Sequence, residues 1–309
     1  MLPAANFVIR LALQTEKGEL VAQISRVGAA LRYLSIDGAE LVQSGDVDSL
    51  SPFCEGVIMS PWPNRIDGGK WTYQGRTLEL PINLHDQQNS NHGLLMEHHY
   101  EVLAQTESSV TLGALIHARL GYPFNVQTSV TYELVEGGLR ISHTAENLST
   151  ADAPYALGGH PYFKIAGVDT EDLFLRSDAA TVLVVDDRQI PTGTMPTAHS
   201  RFDMRSGVRV GDNFYDHDFT AHLPNRPRWP WFRHLAGREF QARRDLHPRL
   251  LFRESRRCQA VCVRDRATDL GAKLVQLRAR PDLAEAGAKI LGNMGRKLQL
   301  VHLLFTLCS

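Results

Sequence analysis

Over the first 220 residues apolar and polar side chains alternate with a period of two. Residues 7–14 (Phe-Val-Ile-Arg-Leu-Ala-Leu-Gln), 20–25 and 30–36 each read as strands. Residues 70–73 and 76–80 flank Gln74-Gly75, a hairpin signal in which the glycine supplies a positive φ. Residues 125–134 place Val126, Thr128, Val130, Tyr132 and Leu134 on one face, and Leu139, Ile141, His143 and Ala145 repeat the alternation after a Val-Glu-Gly-Gly turn. Side chains two apart share a face of a strand, so this spacing with β-branched enrichment predicts half-buried antiparallel strands. No stretch of comparable quality has helical spacing, and no repeat of fixed length occurs. Many short strands between turn residues predict an all-β fold, a large antiparallel β-sandwich.

Four segments between the strands are too rich in glycine, proline and polar residues to be plain connectors. They are residues 60–66 around Arg65, 89–94 around His92, 158–163 around His160 and 213–219 around Asp216. Function concentrates on loops carried by a rigid scaffold. Read singly, each residue has an ordinary alternative. Arg65 suits a common ion pair, His92 and His160 suit satisfied polar positions near a core, and Asp216 suits a turn or helix cap. Periodicity does not choose between these readings.

Charge divides the 309-residue chain. Its net charge of −1 conceals 15 Lys and Arg against 27 Asp and Glu in residues 1–220, and 18 against 7 in residues 221–309. Fifteen of those 18 are arginines, and no tyrosine follows Tyr215. The division separates a strand-patterned segment, 1–220, from an Arg-rich segment, 221–309, with a partly helix-like stretch over 270–307. Composition, 43% apolar and 22% charged, excludes a wholly disordered or collagen-like chain. No apolar run approaches the roughly 18–20 residues of a membrane span. The first residues lack the basic and apolar regions of a signal peptide. Four unevenly placed cysteines, Cys54, Cys258, Cys262 and Cys308, do not make a disulfide framework. These features together predict a soluble, cytoplasmic protein.

At the four loops the sequence resembles the aldose 1-epimerase (galactose mutarotase) family. The likeness runs through PWPNRIDGGKWTYQG, LPINLHDQQNSNHGLL, YALGGHPYFKI, VVDDRQIPTG and YDHDF, in order, over about 160 residues. It implies a galactose mutarotase-like supersandwich with a sugar cleft on one broad face. It also implies interconversion of the α and β anomers of a free aldose, such as a hexose, without a cofactor. Carried over by motif, Arg65 of Asn-Arg-Ile is the substrate-binding arginine and His92 of Asn-His-Gly the first active-site histidine. His160, before Pro-Tyr-Phe, is the general acid, and Asp216 of Tyr-Asp-His grips sugar hydroxyls. The family's general base, a glutamate in an apolar-Glu-Pro motif, has no counterpart motif in the chain.

The chemistry calls for these residue types. Ring opening removes the proton of the anomeric hydroxyl and protonates the ring oxygen, which needs an acid and a base within about 2.6–3.2 Å of their targets. Histidine cycles near neutral pH. An arginine fork and a carboxylate suit hydroxyl groups, and Trp62, Tyr162 or Phe163 could cover the apolar side of the ring.

After Phe219 the motifs end. Residues 259–263, Gln-Ala-Val-Cys-Val, echo the strand that precedes the family glutamate, but Arg264-Asp265 follows them. Three readings of the segment stand: a shifted frame or diverged terminus, an appended basic module for nucleic acid or another polyanion, and a remote sandwich end with catalysis rearranged around Glu239, Glu254 or Asp265. The basic stretch with Trp229, Trp231 and Phe232 fits no known nucleic-acid motif. His85, His92, His98 and His99 are better explained without a metal, and Cys258 and Cys262 lack a second ligand pair. The function classes that remain are an epimerase of a small aldose, a carbohydrate-binding or sensing protein, and a carrier of a basic module.

Overall fold

The computed structural model describes residues 7–42, residues 54–220 apart from positions 137, 166, 176, 178, 212 and 214, and residues 261–263. Glu239, Glu254, Asp265, Cys258 and the 270–307 stretch lie outside the described residues.

Two four-stranded antiparallel meanders form the body. One runs through Val8–Thr15, Gly18–Ser25, Leu31–Ile36 and Ala39–Val42, the other through Glu101–Gln105, Ser109–Ile116, Val126–Val135 and Gly138–Asn147. The alternation read from the sequence sets which face is buried. Val126, Thr128, Val130, Tyr132 and Leu134 are all buried and their neighbours partly open. All but Thr128 share one apolar cluster with Leu11, Leu20, Ala22 and Ile24 of the first sheet. Each large aliphatic side chain so enclosed contributes about 1.5–3 kcal/mol. Several polar atoms that enter the core find partners. The Tyr132 hydroxyl donates to the Ala29 carbonyl (2.7 Å), Tyr122 to that of Pro154 (2.7 Å), and Trp71 Nε1 to that of Gly121 (2.7 Å).

The hairpin of Lys70–Tyr73 and Arg76–Glu79 turns through Gln74 and Gly75, both with positive φ (48° and 79°). That is a type I′ turn, whose twist matches the flanking strands.

A second, smaller apolar cluster holds Leu173, Leu175, Val182, Phe202, Met204, Val210 and Tyr215. It is covered by the sheet of Thr181–Val185, Pro191–Pro196 and Phe219–Thr220 and by the pair Phe174–Leu175 with Val208–Arg209. The echo strand is a strand. Val261–Val263 pairs antiparallel with Ala153–Tyr155, three residues ahead of the Gly158–Gly159 strand. Among the described residues no helix is long and apolar enough to cross a membrane.

Candidate functional site

Short pairings bring three of the four loops together, and side-chain contacts to Asp216 and Asp218 join the fourth. Arg65–Asp67 pairs antiparallel with Asn89–Asn91, Arg65 opposite Asn91. Ser60 bridges Gly93, and the Leu94 N–H donates to the Ser60 carbonyl (2.7 Å). Gly93 is at φ 82°, and a Cβ there would lie 2.1 Å from the Ser60 oxygen, so only glycine allows this approach. Gly158–Gly159 pairs with Ile58–Met59. It leads into His160, whose N–H donates to the Val57 carbonyl (3.1 Å) and whose carbonyl accepts from Gly56 (2.7 Å).

Asn64 and His92 both occupy the left-handed backbone region, at φ 60° and 58°. The Asn64 N–H donates to His92 Nδ1 (3.1 Å), and the His92 N–H donates to the Asn64 carbonyl (3.0 Å). The His92 and His160 rings meet edge to face, with centroids 5.1 Å apart, and Tyr162 stands perpendicular to His160 at 5.4 Å. Both histidines are buried.

Arg65 is held from two sides. Its Nε donates to Gln87 Oε1 (2.8 Å) and its Nη1 to Asn64 Oδ1 (2.8 Å), while Nη2 stands 4.0 Å from Asp216 Oδ2. The Arg65 and Asp216 side chains keep 14% and 22% exposure, and at this separation both can meet a ligand's hydroxyl groups. Burial pulls the Arg65 guanidinium below its ordinary value, and Asp216 and Asp218 oppose that.

Arg65, Asp216, His92 and His160 are thus brought into one neighbourhood. Asn64, Gln87 and Asp218 complete it without having been singled out in the sequence. Asp218 Oδ2 accepts from Asn64 Nδ2 (2.8 Å). Burial raises its carboxyl to about 6; Asp216 adds to the rise, and the Asn64 bond and Arg65 work against it. The only hint in the sequence is the second aspartate of Tyr-Asp-His-Asp-Phe.

Gln87 is placed in turn by Arg188. The Arg188 guanidinium donates to the carbonyls of Gln87 (3.0 Å) and Gln88 (3.3 Å) and to Asn89 Oδ1 (2.9 Å), and it pairs with Asp67 (2.7 Å).

The three aromatic candidates separate. Trp62 is a core residue, 2% exposed and 6.3 Å from the Tyr122 ring, so it presents no face to a sugar. Tyr162 is buried against His160, its hydroxyl pushed up by burial and by Glu55, Cys54 and Asp216. Phe163 packs on the edge of the main cluster. The histidines near His92 also diverge, His99 meeting Phe7 edge to face (5.5 Å) and His98 meeting Tyr100 likewise (6.1 Å).

Residues 11–239 match the sequence profile of a family described as aldose 1-epimerase, which reaches beyond Phe219. The chain is 32% identical over 205 residues to the protein named "Uncharacterized protein YihR" of Escherichia coli K12, covering 66% of this chain and 67% of that one. It is 29% identical over 180 residues to galactose mutarotase of Rattus norvegicus, covering 53% and 51%. The chain spans about half the length of the rat and mouse galactose mutarotases it matches. The fold resembles solved structures of a GalM/aldose epimerase homologue from C. elegans (TM-score 0.62, 22% identity, 71% and 73% covered) and of galactose 1-epimerase from Lactobacillus acidophilus (0.60, 24%, 71% and 71%).

Proposed function

The chain belongs to the aldose 1-epimerase family, and from that premise we propose that it binds a free aldose between Arg65, His92, His160 and Asp216 and interconverts its anomers. The observation that carries this reading is the convergence of one arginine, one carboxylate and two histidines in edge-to-face contact from four separate loops. Arg65 and Asp216 hold the hydroxyl groups, one as donor and one as acceptor. His92 accepts at Nδ1 from a backbone N–H, so its neutral ring carries the proton on Nε2 and faces a sugar as a donor. His160 protonates the ring oxygen as the anomeric hydroxyl gives its proton to solvent water. The carbonyl form then rotates about its first carbon–carbon bond and closes to the other anomer, the attacking hydroxyl returning its proton to His160 and the new anomeric oxygen taking one from solvent.

Polarimetry of freshly dissolved α-glucose or α-galactose tests the proposal. Catalysis is expected to speed the decay of rotation beyond buffer, and His160→Ala to remove the effect, since a positioned acid contributes on the order of 10²–10⁴-fold. Calorimetric sugar binding without any acceleration would instead identify a carbohydrate-binding protein.

A further inference from the structure

Asn64 joins the site together. Its backbone N–H reaches His92, its Oδ1 accepts from Arg65, and its Nδ2 donates to Asp218. We propose that Asp218 is a positioning residue for the aldose site, acting through the carboxamide of Asn64 on Arg65. The inference rests on the anomer-interconverting reading for its kinetic test and on geometry alone for its spectroscopic one.

A carboxamide has one accepting and one donating end, and its surroundings decide which end faces which way. A carboxylate only accepts and a guanidinium only donates. With Asp218 on one side and Arg65 on the other, a single orientation of Asn64 satisfies both; the reverse would set N–H against guanidinium and oxygen against carboxylate. Asp218 is itself anchored. Its carbonyl accepts from the Leu183 N–H (2.9 Å), and the next residue, Phe219, pairs with Val182.

Its other carboxylate oxygen, Oδ1, is buried and has no hydrogen-bond partner among the described residues. Keeping such an atom dry is unfavourable for stability. A carboxylate held at that cost beside Asn64 is explained by what it imposes on the neighbouring side chains. The charged groups acting on it are Arg65 from the 60–67 segment and Asp216 from its own. Protonated, as happens toward about pH 6 and below, the carboxyl can donate as well as accept. It then no longer dictates the orientation of Asn64.

The test is Asp218→Asn, which keeps volume and the ability to accept but dictates no orientation. In polarimetry with α-galactose or α-glucose, kcat/KM at pH 8 is expected to fall roughly tenfold to a hundredfold. The wild-type decline with a midpoint near pH 6 should disappear, while the melting temperature holds or rises because a buried charge is gone. A merely structural residue would lower stability and activity together. A kcat/KM within twofold of wild type, or an unchanged acid limb, would overturn the proposal. The Arg65 guanidinium gives a readout independent of turnover. Its two Nη nitrogens should give separate NMR signals in the wild type, identified by their loss in Arg65→Lys, and averaged ones in Asp218→Asn. If the wild type accelerates neither sugar, the epimerase reading fails and this spectrum alone decides on Asp218; separate signals in both proteins reject its role.

Discussion

The backbone N–H of Asn64 donates to Nδ1 of His92, and the backbone N–H of His92 donates back to the Asn64 carbonyl. Two loops 28 residues apart in sequence are thereby locked in left-handed conformations that neither would hold readily alone. The lock also fixes the histidine's tautomer, because a backbone N–H can only be a donor.

His92 should therefore act as a hydrogen-bond donor through Nε2. His92→Gln, whose amide can donate, is expected to keep more anomerase activity than His92→Ala, which should lose about 10²-fold in kcat/KM. Equal loss in both variants, measured by polarimetry, would remove the donor role.

Arg188 lies well away from the histidines in sequence and makes no direct bond to Arg65, yet it grips the segment carrying Gln87. Arg188→Ala should raise KM about tenfold and lower kcat much less, since it loosens the clamp on Arg65 and leaves His160 untouched. Arg188→Lys should not restore KM, because an ammonium cannot reproduce the planar fork. Full restoration by lysine would mean that only charge matters here.

How much of this was legible beforehand depended on pattern length. The ten-residue strands Val126–Val135 and Gly138–Asn147 announce themselves by alternation, and their buried faces are those the spacing gives. The two-residue strands Ile58–Met59 and Gly158–Gly159 carry no period, although they set His160 in place. Arg65, His92, His160 and Asp216 stood out by motif. Asp218 and Arg188 did not, because their importance lies in contacts across 154 and 101 residues, to Asn64 and Gln87, that no local pattern encodes. Trp62 looked like a sugar platform because its proline-rich surroundings hid the core it belongs to.

Gly93 can be tested by the smallest change. In Gly93→Ala the methyl group would meet the Ser60 carbonyl at a backbone angle that disfavours any side chain. A loss of about 1–3 kcal/mol is expected by denaturant titration, with activity reduced alongside. An unchanged midpoint would show that the Ser60–Gly93 approach is soft.

His143 makes the fold acid-sensitive. It is buried with Nδ1 unpartnered among the described residues, and burial pushes its pKa down to about 4. Below the ordinary value of about 6.5 the unfolded chain takes up a proton that the folded chain refuses, so stability falls as pH drops from about 6.5 toward 4, by about 3 kcal/mol in all. Asp218 has the opposite sign. Its raised carboxyl favours the folded state at low pH, and that contribution is lost as pH rises from about 4 to about 6. The unfolding free energy of His143→Leu relative to wild type should therefore improve by about 3 kcal/mol between pH 7.5 and 4, and a constant difference would sink this account.

Arg65, His92 and His160 stand on segments tied to the large sandwich, whereas Asp216 and Asp218 hang from the smaller cluster around Val182, Phe202 and Tyr215. The site is assembled across a seam. Warming that loosens the smaller cluster would carry the carboxylates away from Arg65 while the two four-stranded meanders stay folded. Inactivation then becomes an early, local event that a signal from the whole β-structure would record late.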